Sequence, residues 1–386
     1  MINNLKHNQF TTSLISLFIS ANLISYSLGN YDYNKYIYVL TLFIIIIKTR
    51  KVKISLISFL FFFITLIFSF ASIMSYDYTS TKSYVFYFIF FSIFSISVLS
   101  KKIDFYSLYL FMSYILFVVQ PILMYNVFTR DYDIGLLLGI SYAILPNFIA
   151  NLLILTSTKN SLTKIISCIT ISISSFFFIT KGNRGVILCI LAFFILKFLF
   201  KNKYSNGLRL ALSGLFTFLF LVILSNLSIV FKFIKSSLSY FHIEIYAIDK
   251  TLNLIIENQN LDSGRTFLFE KLFNDIHDIK DIALGKGIGY FEEINGVYTH
   301  NLFAQYFIEG GLMYLVLPIS VFFILVFKLF NGKKSKENVT VEYCFFLVSI
   351  FIPLMLSNVY WVSPLYWLAS YYILLSASKK RITIEF

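Results

Sequence analysis

Residues 54–75 read ISLISFLFFFITLIFSFASIMS, 22 positions without a charge, preceded by Lys48, Arg50, Lys51 and Lys53. A helix of that length is about 33 Å long, enough to cross the ~30 Å hydrocarbon layer of a bilayer. Outward from this stretch, charged or polar breaks mark off further apolar runs. The chain reads as about 12 transmembrane helices, at 12–28, 33–47, 54–75, 83–99, 106–128, 134–156, 164–180, 185–200, 207–230, 311–330, 342–358 and 363–376. Composition agrees: of 386 residues 58% are hydrophobic, 19% aromatic and only 13% charged, with a mean hydropathy of +0.79. A soluble domain carries about 25% charged residues, and no core surrounded by water could hide 46 Phe and 27 Tyr. The bilayer must act as solvent for most of that surface. The expected fold class is therefore all-α, a polytopic integral membrane protein forming a single membrane domain over 1–386.

The net charge of +13 would suggest nucleic acid in a soluble chain, but its distribution assigns it to membrane topology instead. Positive loops are retained in the cytoplasm, while long segments cross largely regardless of charge. Alternate loops on one side of the expected spans hold 20 Lys and Arg, and the short loops on the other hold five: Lys35, Lys82, Arg130, Lys181 and Arg184. Both termini should be cytoplasmic, with no nucleic-acid partner. The remaining seven cations lie in 231–299, a 69-residue stretch with ten of the 19 acidic residues. This is the one long loop, inserted between the ninth and tenth spans, and the alternation makes it extracytoplasmic. Within it Phe267, Leu268, Leu272, Phe273, Ile276 and Ile279 recur at helical spacing, either to lie on the membrane surface or to pack on the rest of the loop. All five prolines fall in or beside spans, so kinked helices are expected. Cys168, Cys189 and Cys344 sit in apolar runs without metal-ligand spacing and read as packing residues.

Chemistry-bearing residues concentrate on the side that is otherwise poor in cations. Lys181 and Arg184 occupy the short turn TKGNRG at 180–185, where a guanidinium offers a planar fork of donors suited to phosphate oxygens. The long loop contributes Arg265 in DSGRT and then Gly285-Lys-Gly-Ile-Gly289. That glycine run lacks the spacing and the βαβ setting of a nucleotide loop, and reads as a turn that lets backbone approach a partner closely. The stretch 299–312, THNLFAQYFIEGGL, turns the loop back into the membrane. Thr299 is the expected N-cap, with His300 in the first helical turn, where the macrodipole keeps an imidazole neutral as a base or hydrogen-bond acceptor.

In this order the features resemble the O-antigen polymerase and O-antigen ligase membrane proteins, which share a glycosyltransferase-C-like helical fold. The matching features are an Arg in a short outward loop (Arg184), a long outward loop opening at Gly264-Arg265, a glycine-rich Gly285-x-Gly287-x-Gly289-x-Phe291, then His300-Asn301 and Glu309-Gly-Gly-Leu. The resemblance is specific over 179–315. It departs from the family pattern at Asn183, where a Ser is usual, and over the first 178 residues it rests on span count and hydropathy alone.

The resemblance implies transfer of a glycan from an undecaprenyl diphosphate carrier to a sugar hydroxyl, with inversion, at the outer face of a bacterial inner membrane. It implies His300, Arg184 and Arg265 as catalytic residues and Lys181, Gly285, Gly287, Gly289, Asn301 and Glu309 as substrate-binding ones. The glycosyl diphosphate already stores the energy, so no metal and no cofactor is expected. The expected partners are the undecaprenyl diphosphate-linked oligosaccharide, membrane lipids and a protein that sets chain length. Polymerisation of repeat units is the leading expectation, for O-antigen, capsule or exopolysaccharide. A ligase passing polymer to lipid A core shares the chemistry. A flippase of lipid-linked oligosaccharide would need ionisable groups deep within its spans, and the expected spans hold almost none.

Overall fold

A computed structural model describes residues 2–30, 32–49, 51–76, 78–100, 103–130, 132–181, 184–199, 265–331, 337–357, 359–378 and 381–385, and the isolated residues 232, 235, 236 and 252. The ninth expected span, and all of 231–264 but those four residues, lie outside them.

The chain opens with α1 (Ile2–Ile19), α2 (Ala21–Ser27) and α3 (Tyr33–Lys48), followed by a short strand, β1 (Lys51–Ser55). Next come α4 (Leu56–Ser75), α5 (Thr79–Leu99), α6 (Phe105–Thr129), α7 (Ile134–Ser157), α8 (Ser161–Thr180) and α9 (Arg184–Leu199). After Arg265 follow α10 (Arg265–Asn274), α11 (Ile279–Leu284), α12 (Tyr290–Asn295), α13 (Leu302–Asn331) and α14 (Glu337–Phe346). A π-helical turn (Leu347–Phe351) leads into α15 (Ile352–Ser357), then α16 (Pro364–Ala377) and β2 (Arg381–Glu385). Polar side chains set several starts: Ser55 accepts from Ser58 N at 3.1 Å, Asp133 from Leu136 N at 2.7 Å and Asn160 from Leu162 N at 2.9 Å, satisfying donors that the first helical turn leaves unpaired.

Six of these helices are long and apolar enough to cross a membrane, and the α1–α2 pair, bent by 55°, makes a seventh if counted as one span. Helices stand at eleven of the twelve expected stretches, but 185–199 and 341–357 are shorter than a full span. The interior is mainly apolar but carries many buried hydroxyls and amides, and the outer surface is apolar as well, unlike that of a soluble bundle. On α4, Ser58, Thr65, Ser69 and Ser72 face inward with Phe61, while Leu60, Phe63, Ile67 and Phe70 face out. Small and hydroxylated residues let neighbouring backbones approach where lipid supplies no hydrophobic drive between helices. Amides then tie helices together: Asn147 Nδ2 donates to Ser20 Oγ at 2.8 Å and to Met112 O at 2.9 Å, and Gln120 Nε2 to Ser174 Oγ at 2.8 Å. The chain is a membrane-embedded helical protein.

One feature of the backbone departs from the all-α expectation: β1 and β2 pair antiparallel, Lys51 opposite Glu385 and Ser55 opposite Arg381. The strand pair joins two cationic stretches that the charge alternation puts on one side. Stretches assigned to the other side meet at the opposite ends of the helices. Asn126 Nδ2 donates to Ser27 O at 2.7 Å, Thr81 Oγ1 to Ile288 O at 2.6 Å, and Thr79 Oγ1 to Glu293 Oε2 at 2.7 Å. This loop-bearing end holds the residues singled out above.

The proline expectation holds in part. Pro121, Pro146 and Pro318 lie inside α6, α7 and α13, and Pro364 opens α16. Pro353 follows the π turn; with no N–H to offer the carbonyl of Ser349 four residues back, it explains why the helix loosens there.

Candidate functional site

Helix α13 starts two residues later than the sequence suggested. Asn301, not Thr299, is its N-cap: Asn301 Oδ1 accepts from Phe303 N at 3.0 Å and Ala304 N at 3.1 Å. Thr299 instead donates its hydroxyl to Asn301 O at 3.1 Å. An amide oxygen placed to take two amides outcompetes a β-branched hydroxyl two residues earlier. His300 thus precedes the helix, with φ +54, the one non-glycine residue with positive φ among the described residues. A left-handed residue of this kind costs about 1–3 kcal/mol and persists where its surroundings over-determine it.

Those surroundings are specific. His300 Nδ1 lies 3.0 Å from Ser357 Oγ at the end of α15, and the imidazole sits 4.2 Å from the Tyr298 ring. Tyr298 OH reaches the same Ser357 Oγ at 3.3 Å. Burial, reinforced by the positive charge of Arg265, holds the imidazole at about 4, well below its ordinary 6.5. The sequence reading attributed a neutral imidazole to the helix macrodipole; the cause in the fold is desolvation plus a neighbouring cation. Burial raises the Tyr298 phenol, and Arg265 works against it. Arg265 and His300 therefore share one electrostatic neighbourhood.

Arg265 is placed by α10, whose Leu272 is buried with Phe291 and Ile308, and Leu268 and Ile276 pack beside them. The expected apolar stripe divides, since Phe267, Phe273 and Ile279 stay exposed. Arg184 contributes the first residue of α9, and α9 packs on α7, α14, the π turn and α15. The side chain of Arg184, with Gly182, Asn183 and Gly264, lies outside the described residues. Lys181 is exposed at the end of α8, its amide bonded to Phe177 O at 2.9 Å.

The glycine run docks on the chain itself. Helix α13 breaks at Gly310 (φ −136) and Gly311 (φ +63, ψ −162), which leaves the carbonyls of Ile308 and Glu309 without their helical donors. Lys286 N and Gly287 N fill that role at 2.7 and 2.8 Å. A Cβ on Gly285 would lie 2.4 Å from the backbone of Glu309, and one on Gly311 would lie 2.3 Å from that of Ala283. Gly287 and Gly289 abut Tyr76 and Ser80. The close approach read from these glycines is thus made to α13, α4 and α5, with Lys286 paired to Asp281 at 2.6 Å.

Glu309 was legible as a motif residue, but its setting was not. It is fully buried, accepting from Tyr360 OH at 2.5 Å, Trp361 Nε1 at 3.0 Å and Gln305 Nε2 at 3.1 Å. Gln305 Nε2 also reaches Glu292 Oε1 at 2.9 Å, and burial pushes the Glu292 carboxyl up to about 7. As placed, Glu309 ties α13 to the loop before α16 and presents no oxygen to the outside. Tyr360-Trp361 was the available signal, because a buried indole N–H needs an acceptor. Among the described residues, no group of three or more His, Cys, Asp or Glu is arranged to hold a metal ion.

Comparison with known protein families and with curated proteins finds no match to this chain. Its function is therefore argued from the site.

Proposed function

We propose that this protein is a membrane glycosyltransferase that polymerises lipid-linked polysaccharide repeat units. In this reading an undecaprenyl diphosphate-linked glycan is the donor and a sugar hydroxyl is the acceptor. The enzyme lies in a bacterial inner membrane with both termini cytoplasmic and the reaction outside. The observation that carries the reading is a neutral, half-buried imidazole held in the field of a guanidinium at the loop-bearing end of a membrane-embedded helical body.

The chemistry follows from those groups. The acceptor oxygen forms a bond to the anomeric carbon as the bond from that carbon to the diphosphate oxygen breaks, inverting the centre. The bonding pair leaves with the lipid diphosphate, whose negative charge Arg265 and Arg184 stabilise. The acceptor proton passes to His300. An imidazole held at about 4 is a weak base. A diphosphate bound beside it offsets the field of Arg265 and raises its proton affinity. The base thereby strengthens when the donor arrives.

The deciding experiment is incubation of purified protein in lipid nanodiscs with a synthetic undecaprenyl diphosphate-linked repeat unit. A ladder of lengthened chains supports the proposal, and loss of the ladder in Arg184→Ala, Arg265→Ala and His300→Ala assigns the groups. Unchanged donor with the wild-type protein overturns the proposal, and full ladders from the variants overturn the assignment.

A further inference from the structure

Directly behind Ser357 the loop-bearing end holds a partly open cavity of about 180 Å³, whose walls come from α2, α7, the π turn, α15 and the start of α16. Three prolines border it, Pro146, Pro353 and Pro364. The space forms where α7 carries an internal proline, where the helix before Pro353 loosens into the π turn, and where α16 begins. π turns of this kind open helices at binding sites more often than elsewhere.

The lining is mixed in a way that points to one class of ligand. Tyr26, Tyr142 and Tyr298 supply aromatic rings ending in hydroxyls, and Asn22, Ser349 and Ser357 supply short polar groups. Asn22 Oδ1 is occupied by Asn34 Nδ2 at 2.8 Å and Tyr38 OH at 2.9 Å, which fixes the amide with its Nδ2 as the group left to donate. Ser349 is 3% exposed, and its Oγ has no hydrogen-bond partner among the described residues. A buried hydroxyl left unmet costs about 1–3 kcal/mol. An apolar guest would leave that cost in place, whereas a polyhydroxylated one removes it. The cleft has room for the ring and hydroxyls of one pyranose and is open on one side, so the rest of a glycan can extend from it.

We infer that this cavity binds a single pyranose, the terminal sugar of the acceptor glycan. Ring faces pack on the tyrosines, and the hydroxyls bond to Asn22, Ser349 and Ser357. Ser357 joins this pocket to the proposed base, since its Oγ is both a lining atom and the partner of His300 Nδ1. A hydroxyl of the bound sugar at the Ser357 end therefore lies beside the proton acceptor. Gly139, also in the lining, lets Tyr26 pack against its backbone: a Cβ there would meet Tyr26 OH at 2.5 Å, so a bulky side chain must displace that ring or fill the cleft. The assignment of the pyranose as acceptor rests on the glycosyltransferase reading, but the binding itself does not.

The test is saturation-transfer difference NMR on the protein in nanodiscs, with methyl pyranosides of glucose, galactose, mannose and N-acetylglucosamine as probes. At least one should bind saturably to the wild-type protein, lose its signal in Gly139→Leu, and bind about tenfold more weakly to Ser349→Ala, the loss of one hydrogen bond of ordinary strength. Ser349→Ala adds no atoms and decides the matter if the leucine variant fails to fold. No binding by any probe, or binding unchanged in Ser349→Ala, overturns the inference. Saturable, mutation-sensitive binding without chain growth from a lipid diphosphate donor would instead overturn the glycosyltransferase reading and leave the pyranose site standing. Chain growth that survives a folded Gly139→Leu variant would do the opposite.

Discussion

Replacing Gly311 by Ala tests whether the glycine run and the broken helix form one joint. Gly311 has φ +63 and ψ −162, a conformation essentially confined to glycine, so alanine there costs about 1–3 kcal/mol from the backbone alone. Its Cβ would lie 2.3 Å from the Ala283 carbonyl carbon and 2.6 Å from Ile282 O. Both are backbone atoms that cannot swing aside, so α11 must withdraw from α13. The bonds from Lys286 N to Ile308 O and from Gly287 N to Glu309 O then fail, at roughly 1–3 kcal/mol for each group left unmet. The total reaches roughly 3–9 kcal/mol. Gly296→Ala is the matched control: φ is +68, ψ is 2, and no atom lies within 4 Å of its Cβ, so only about 1–2 kcal/mol of left-handed strain is expected. Thermal unfolding in nanodiscs and amide hydrogen exchange across 280–292 read the two effects. Gly311→Ala should lower the melting temperature far more and expose that peptide to exchange. Equal destabilisation by the two variants, or unchanged exchange at 280–292, would refute the joint.

Three further outcomes are expected. His300 should titrate near 4 in an NMR pH series, and Arg265→Gln should move it part of the way toward 6.5, because burial is the larger cause and remains. The sign for stability follows: a folded pKa below the unfolded value removes stability as pH falls from 6.5 through about 4 and has no effect above that window, which pH-dependent melting curves would detect. Arg265→Lys should slow chain growth at least about tenfold, because a point charge lacks the bidentate fork, and a ladder at the wild-type rate would contradict a guanidinium role. Glu309→Ala should destabilise the protein by about 1–3 kcal/mol for each donor left unmet, because the buried Tyr360 OH and Trp361 Nε1 both lose their acceptor; the shift in unfolding midpoint checks it.

How much was legible varies from residue to residue. Helix positions followed from uninterrupted apolar length, a property of contiguous residues. The number of true spans did not, since 185–199 and 341–357 are apolar yet short, and length to cross depends on tilt and neighbours. Pairing of β1 with β2 brings together residues some 330 positions apart and has no local signature beyond two short charged runs. At the site, His300 and Arg265 were singled out by residue type and loop position, and the fold places one in the field of the other. Thr299 was expected to cap α13, because Thr and Asn both suit that position and only backbone geometry separates them.

The sequence alone determined that this chain lives in a bilayer, where its helices stand, and which loops carry unusual cations, because hydropathy and charge are summed over neighbouring residues. Only the tertiary structure decided that a glycine run braces a broken helix, that two carboxyls share one glutamine, and that a serine on α15 stands between a histidine and a cavity. Those contacts join segments far apart in the chain. Their energies come from packing, desolvation and hydrogen-bond geometry, which exist only once the helices have come together.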